Sequence, residues 1–239
     1  MFVKFYYRWA TRSGQQRRDE RRSVLPLRRW YWHVRRYVSR RQVITFQHDG
    51  KSWPVRHGNG PDIGITDGAG PQAEGIARAV AARGGLPLPV VQARLQAGHR
   101  IVHASTAEAG LLAWGWIVLP GLAMGVGFES GLSLEIGDGM SYLYDFVTLS
   151  AARGQGLYRQ LLDYAAHFCL AHGAVTVGIY CRAENLASHR GIVAAGFQDG
   201  RTVTVLRLGP WARLTVLGRS WWCRVGSRLT LRALIGTDP

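Results

Sequence analysis

An α/β fold built on a mixed sheet is what the 239-residue sequence predicts. Two observations carry the expectation. Apolar residues make up 47% of the chain, enough for one sizeable core. The periodic segments also follow a particular order: two short helices, a meander of strands, then strand, helix, strand, helix, strand.

Taken in order, the first forty residues interleave arginine with aromatic side chains. On a helix, Leu27, Trp30, Tyr31, Val34 and Val38 would share one stripe with arginines on its flanks. Val43 to Phe46 reads as a first strand, and the Gly/Pro/Asp-rich stretch from Gly58 to Pro71 as a loop. Gln72 to Arg83 and Pro89 to Ala97 read as helices parted by Gly84-Gly85 and a Leu-Pro repeat. Strands follow at Arg100 to Ala104, Leu111 to Leu119, Leu132 to Ile136 and Tyr142 to Leu149. Leu157 to Ala171 alternates like an amphipathic helix stopped near Gly173. Val175 to Tyr180 is a strand, Asn185 to Ala195 a helix ended by Gly196, and Thr202 to Leu208 a last strand. The uncharged run from Ala109 to Phe128 approaches the length of a membrane span, but its five glycines and Pro120 favour a buried strand followed by a turn.

The net charge of +15 is not spread evenly. Residues 1–41 carry +11 and residues 201–239 carry +6, so the segment between them is slightly acidic. This divides the chain into a basic, aromatic-rich N-terminal extension (1–41), a central domain (42–209) and a basic, Trp-rich C-terminal extension (210–239). Arginine and aromatic interleaving suits anionic partners: a membrane surface, with Trp and Tyr at headgroup level, or a polynucleotide. Of the two, the continuous apolar stripe favours the membrane, and a protein partner packed on the same stripe is the other reading. Cys169, Cys181 and Cys223 are too far apart for a zinc set or a disulfide framework, and the charged N-terminus lacks a secretory h-region. A cytoplasmic location, with the ends peripheral to a membrane, is the expectation.

The segment Arg153-Gly154-Gln155-Gly156-Leu157-Tyr158 lies between a strand and a helix. Amides at a helix N-terminus are unpaired, and glycines let the backbone approach a phosphate closely. The turn lacks the lysine of a P-loop and the spacing of a dinucleotide fingerprint. About thirty residues on, Asn185 opens a helix that Ala195-Gly196-Phe197 closes. Together the two elements resemble the GNAT acetyltransferase superfamily, in which a Gln/Arg-x-x-Gly-x-Gly/Ala turn follows one strand and an Asn-x-x-Ala/Ser helix with a closing Gly-Phe follows the next. The resemblance runs from about Tyr142 to Leu208.

That resemblance implies a GNAT-like mixed, mostly antiparallel sheet with helices on both faces and splayed central strands. It implies acyl-CoA dependent N-acyl transfer, with acetyl-CoA as co-substrate, to an amine of a small molecule or sugar by direct attack on the thioester. Val147, Thr148 and Leu149 would line the pantetheine arm, and Arg153, Gly154, Gln155, Gly156, Leu157 and Tyr158 the pyrophosphate, with Asn185 and Ser188 beside them. Asp145 is the carboxylate on the strand that floors the cleft, with Glu135 a weaker alternative; Tyr142 and Ser188 are further catalytic candidates. No metal is expected, and His99 and His103 read as structural. Two positions depart from the family pattern: Tyr158 stands where Gly or Ala is usual, and Ile192 where many members have a tyrosine acid. A catalytically silent acyl-CoA-binding module and a nucleic-acid-binding protein are the alternative readings.

Overall fold

The computed structural model describes residues 38–48, 61–67, 71–122 and 126–230. The expected N-terminal helix stripe lies outside them apart from Val38, which opens a strand, as do residues 231–239 of the C-terminal extension.

The elements are β1 (Val38–His48), β2 (Asp62–Thr66), α1 (Pro71–Gly84), α2 (Leu88–Gln96), β3 (Arg100–Thr106) and β4 (Gly110–Val118). After them come β5 (Val126–Gly127), β6 (Ser133–Glu135), β7 (Met140–Thr148), α3 (Leu157–Ala171) and β8 (Thr176–Arg182). The chain continues through α4 (Leu186–Ala194), β9 (Gln198–Leu208), β10 (Trp211–Val216), β11 (Arg219–Arg224) and β12 (Arg228–Thr230). Nine strands form one sheet in the order β11-β10-β9-β1-β8-β7-β4-β3-β2, and β12-β6-β5 form a smaller one. In the large sheet the neighbours pair antiparallel except β7 and β8. The mixed, mostly antiparallel architecture is the one the sequence predicts.

Helices cover both faces. On one, Ala77 and Val80 of α1 and Val91 of α2 pack with Trp114, Trp116, Tyr142 and Tyr144, and the same core takes in Val43, Val203, Leu214 and the small sheet's Leu134 and Leu229. On the other, α3 buries Leu157, Leu161, Leu162, Ala165, Ala166 and Cys169, an i, i+4, i+8 stripe, against Val102, Ala113, Ile117, Leu143 and Val177. α4 adds Ile192 to that core.

The end of α4 explains the Gly-Phe pair. Gly196 adopts φ 81°, a left-handed conformation natural to glycine, and its N–H donates to Val193 O at 2.9 Å while Phe197 N–H donates to Ile192 O at 3.3 Å. Phe197 and Ile192 are both buried there, the apolar clasp of this helix stop.

One feature differs from the expectations. A short strand, β2, lies inside the stretch read as a loop, and pairs with β3 through Asp62↔Ser105 to Thr66↔Ile101. β4 is a buried central strand, and among the described residues no helix is long and apolar enough to cross a membrane. The boundary placed at 209/210 falls in the connection between β9 and β10, which pair from Trp211↔Leu208 to Val216↔Val203. The described part of the C-terminal extension is thus continuous with the large sheet.

Candidate active site

β7 and β8 are partners for three residues only: Met140↔Thr176, Ser141↔Val177 and Tyr142↔Gly178. Beyond that, β7 runs six more residues to Thr148 and β8 four more to Arg182 without pairing to each other. Two parallel strands that part leave a cleft whose walls are unpaired backbone, and buried polar backbone calls for a partner.

A bulge in β7 shapes one wall. Trp114 faces Val147 and Trp116 faces Tyr144, so Asp145 and Phe146 together stand opposite Gly115. Asp145 takes φ 50°, a left-handed backbone that Asp tolerates better than most side chains. The extra residue resets the alternation of the strand. Tyr142 and Tyr144 belong to the α1/α2 core, whereas Phe146 packs with the α3/α4 core, its ring lying where a Gly115 side chain would stand.

At the mouth, the chain leaves β7 through a turn at Ser150–Ala152 and enters α3. Gly154 and Gly156 have φ of 79° and 74°, and Gly156 caps α3 with no side chain bonded to the open amides. A Cβ at Gly154 would meet nothing within 4 Å. The first amides of the helix thus face an open approach, with the positive end of its dipole behind them. Arg153 and Gln155 are exposed, and Arg153 Nε donates to Thr148 O at 3.4 Å, folding the guanidinium back over the turn. Leu157 is a core residue, 2% exposed, so it anchors the turn from beneath. Val147 is 37% exposed beside the mouth, and Thr148 and Leu149 are half-buried. This arrangement of open amides, a nearby cation and a cleft of unpaired backbone fits a pyrophosphate followed by an extended amide-bearing arm.

Asn185 caps α4: its Oδ1 accepts from Ser188 N–H at 3.2 Å while its Nδ2 donates to Ser188 Oγ at 2.8 Å. Tyr158 reaches the same place from α3. Its hydroxyl is hydrogen-bonded to Ser188, its ring lies against Gly191 and it meets Phe146 edge-on at 6.1 Å. Burial lifts the Tyr158 phenol to about 12, partly offset by the Ser188 bond, so it stays protonated. Asn185, Ser188 and Tyr158 therefore form one cluster joining α3 to α4. Ile192 is fully buried in the core shared with α3.

Tyr142 and Asp145 stand apart from that cluster. Tyr142 is the last β7 residue paired to β8, at the vertex of the cleft; it is 1% exposed and among the described residues its hydroxyl has no hydrogen-bond partner. Its ring stacks with Tyr144 at 6.1 Å and Tyr180 at 6.4 Å. Burial pushes its phenol well up, and the neighbouring Tyr180 and Asp145 add to the effect. The Asp145 carboxylate accepts from Arg94 of α2 at 2.9 Å. Glu135 pairs with Arg228 at 3.0 Å, away from the cleft on β6.

Four residues of this region carry no signature in the sequence. The Arg94 guanidinium lies 5.0 Å above both the Trp116 and Tyr144 rings, and Tyr144 Oη is 2.6 Å from His99 Nδ1. Burial, then the charge of Arg94, lowers His99 to about 4, so the ring is neutral. His103 has its own partner, Thr66 Oγ1, at 3.1 Å, and the two histidines do not act as a pair. Among the described residues no cluster of three or more His, Cys, Asp or Glu could hold a metal ion.

These features define a mixed α/β protein with a splayed parallel strand pair and a glycine turn with open helix amides at the mouth of the splay. Residues 120–197 match the Acetyltransferase (GNAT) family, so the resemblance drawn from the two motifs holds over the segment that contains both. No curated protein matches the chain. Among solved structures it is similar to a GNAT-family acetyltransferase from Colwellia psychrerythraea, at 16% identity and TM-score 0.48, over 76% of this chain and 62% of that one. It is also similar to a GCN5-related N-acetyltransferase from Sphaerobacter thermophilus, at 15% identity and TM-score 0.46, over 85% of this chain and 57% of that one. The chain spans less than two thirds of the length of either.

Proposed function

We propose that the protein is an acyl-CoA dependent N-acyltransferase, with acetyl-CoA as donor and an amine of a small molecule as acceptor. The observation that carries the reading is the parting of β7 from β8 at Tyr142 and Gly178, with the glycine turn at the open end. In this reading the amides of Gly154 to Tyr158 and the Arg153 guanidinium hold the pyrophosphate. The β7 edge at Val147, Thr148 and Leu149 hydrogen-bonds the pantetheine arm. Asn185 and Ser188 close the other wall.

When bound, the donor supplies a thioester carbonyl at the vertex. The acceptor nitrogen attacks that carbon, an amide C–N bond forms, and the C–S bond breaks. Asp145, on the bulge and partly exposed, takes the proton from the acceptor ammonium, and the second nitrogen proton, lost as the amide forms, restores the Tyr142 phenol once it has protonated the sulfur. Tyr142 gives its proton to the departing sulfur: the residue stands at the vertex, and its hydroxyl is kept protonated by burial and has no hydrogen-bond partner among the described residues. Ser188 is engaged by Asn185 and Tyr158, and its part is to fix the wall.

The test is release of free thiol from acetyl-CoA across a panel of primary amines. Turnover that falls about 100-fold in Tyr142→Phe, with acetyl-CoA affinity unchanged, supports the assignment. Thiol release by Tyr142→Phe at the wild-type rate would remove Tyr142 from the mechanism. Donor binding without turnover on any amine would favour the silent acyl-CoA-binding module.

A further inference from the structure

The cover of α3 and α4 stops partway across the large sheet. α4 reaches β1, where His189 meets Phe46 edge-on at 5.2 Å, and the start of β9, where His189 lies 3.3 Å from Asp199. Beyond that, among the described residues, β9 and β10 bury the opposite face, through Val203, Val205, Ala212, Leu214 and Val216. Registers Arg40↔Leu206, Arg213↔Leu206 and Arg213↔Trp222 set these residues in one row across four strands. Leu208, Trp211 and Arg224 form the next row, through Trp211↔Leu208 and Trp211↔Arg224.

This face is both apolar and basic. Leu208, Trp211 and Trp222 are 40%, 48% and 51% exposed. Arg40, Arg213 and Arg224 are exposed beside them, and among the described residues no carboxylate pairs with any of the three. From Gly200 to Thr237 the sequence has no Asp or Glu at all. β11 is also the edge of the sheet, a place where large exposed aromatics invite association unless a partner is intended.

We propose that the outer face of the β9–β10–β11 ribbon docks onto an anionic lipid bilayer. Flat rows that alternate Trp and Leu with Arg match the interfacial layer: indoles lie at headgroup depth, leucines reach the acyl boundary, and arginines meet lipid phosphates. A polynucleotide fits less well. The Arg224 guanidinium sits 6.0 Å over the Trp211 ring and occupies a face that base stacking needs, and Leu206 and Leu208 offer a base nothing specific.

Co-sedimentation of the full chain with vesicles tests this. Wild type pellets with mixed phosphatidylcholine and phosphatidylglycerol and stays in solution with phosphatidylcholine alone. Arg213→Gln/Arg224→Gln binds the anionic vesicles about thirtyfold more weakly, two charges at about 1 kcal/mol each near the surface. Trp211→Ser/Trp222→Ser loses the quenching of tryptophan emission by brominated lipid, and both variants keep the wild-type circular dichroism because the substituted side chains are exposed. Pelleting of both variants at wild-type strength would overturn the proposal, since other basic segments would then account for the binding. So would tight binding of polyuridylate that the arginine substitutions abolish, with no vesicle binding by wild type.

Discussion

Replacing His99 by glutamine should flatten the acid limb of the protein's stability curve. His99 is 5% exposed, bonded through Nδ1 to Tyr144 and held to about 4, against an ordinary value of 6.5, by burial first and by Arg94 second. The folded chain therefore resists a proton that the unfolded chain accepts. Stability from this site is complete above pH 6.5 and is lost as pH falls towards 4. At about 1.36 kcal/mol per pH unit, the gap amounts to roughly 3 kcal/mol. Urea unfolding at several pH values between 7.5 and 4 gives the comparison. Wild type should lose roughly 3 kcal/mol more across that range than His99→Gln, whose side chain keeps a polar partner for Tyr144. Parallel curves for the two proteins would show that His99 already takes up its proton in the folded state, and the buried His99–Tyr144 pair under Arg94 would then be wrong.

Two glycines test the packing of the cleft. A methyl at Gly191 would stand 2.5 Å from the Tyr158 ring. Gly191→Ala alone should cost about 1–3 kcal/mol despite the helix preference for alanine, and in a Tyr158→Ala background it should become neutral or stabilising by up to about 1 kcal/mol, read by thermal melts. Gly115→Ala would place its methyl 2.6 Å from the Phe146 ring across the bulge; a fall in Tm of about 2–10 °C is expected, and an unchanged Tm would mean that the ring does not lie over Gly115.

Much of the fold was legible because burial leaves a period. The α3 stripe and the alternation of Tyr142 and Tyr144 mark a helix and a strand without any tertiary knowledge. The β10–β11 hairpin was missed although Ala212, Leu214 and Val216 alternate, because its turn is Leu217-Gly218. Both residues have positive φ, 49° and 76°, as a type I′ turn requires, but leucine hides the signal that Asn-Gly would have given. β2 is a five-residue edge strand with one buried residue, too short to stand out from its glycine-rich surroundings.

The site divides in the same way. Gly154, Gly156, Asn185 and Gly196 were readable because each holds a local backbone conformation or cap. The partnership of Arg94 with Asp145 spans 51 positions, and the meeting of Tyr158 with Ser188 joins two helices, so neither leaves a local pattern. The Tyr158 ring finds room because Gly191, on the facing helix, has no side chain. The parting of β7 from β8 depends on register and on the bulge at Asp145, which no run of residue types announces.

Donor binding at the glycine turn is the central claim, and calorimetry of the full chain with acetyl-CoA tests it most directly. Wild type should bind, and Arg153→Glu/Gly154→Asp, which sets two carboxylates at the open amides, should bind at least tenfold more weakly while still melting cooperatively. Gly154 is exposed with open space around it, and at its φ of 79° Asp, which tolerates the left-handed region better than most side chains, costs about 1 kcal/mol, so a melt checks that the variant is folded. Failure of wild type to bind acetyl-CoA, or equal affinity in the double variant, would contradict the account.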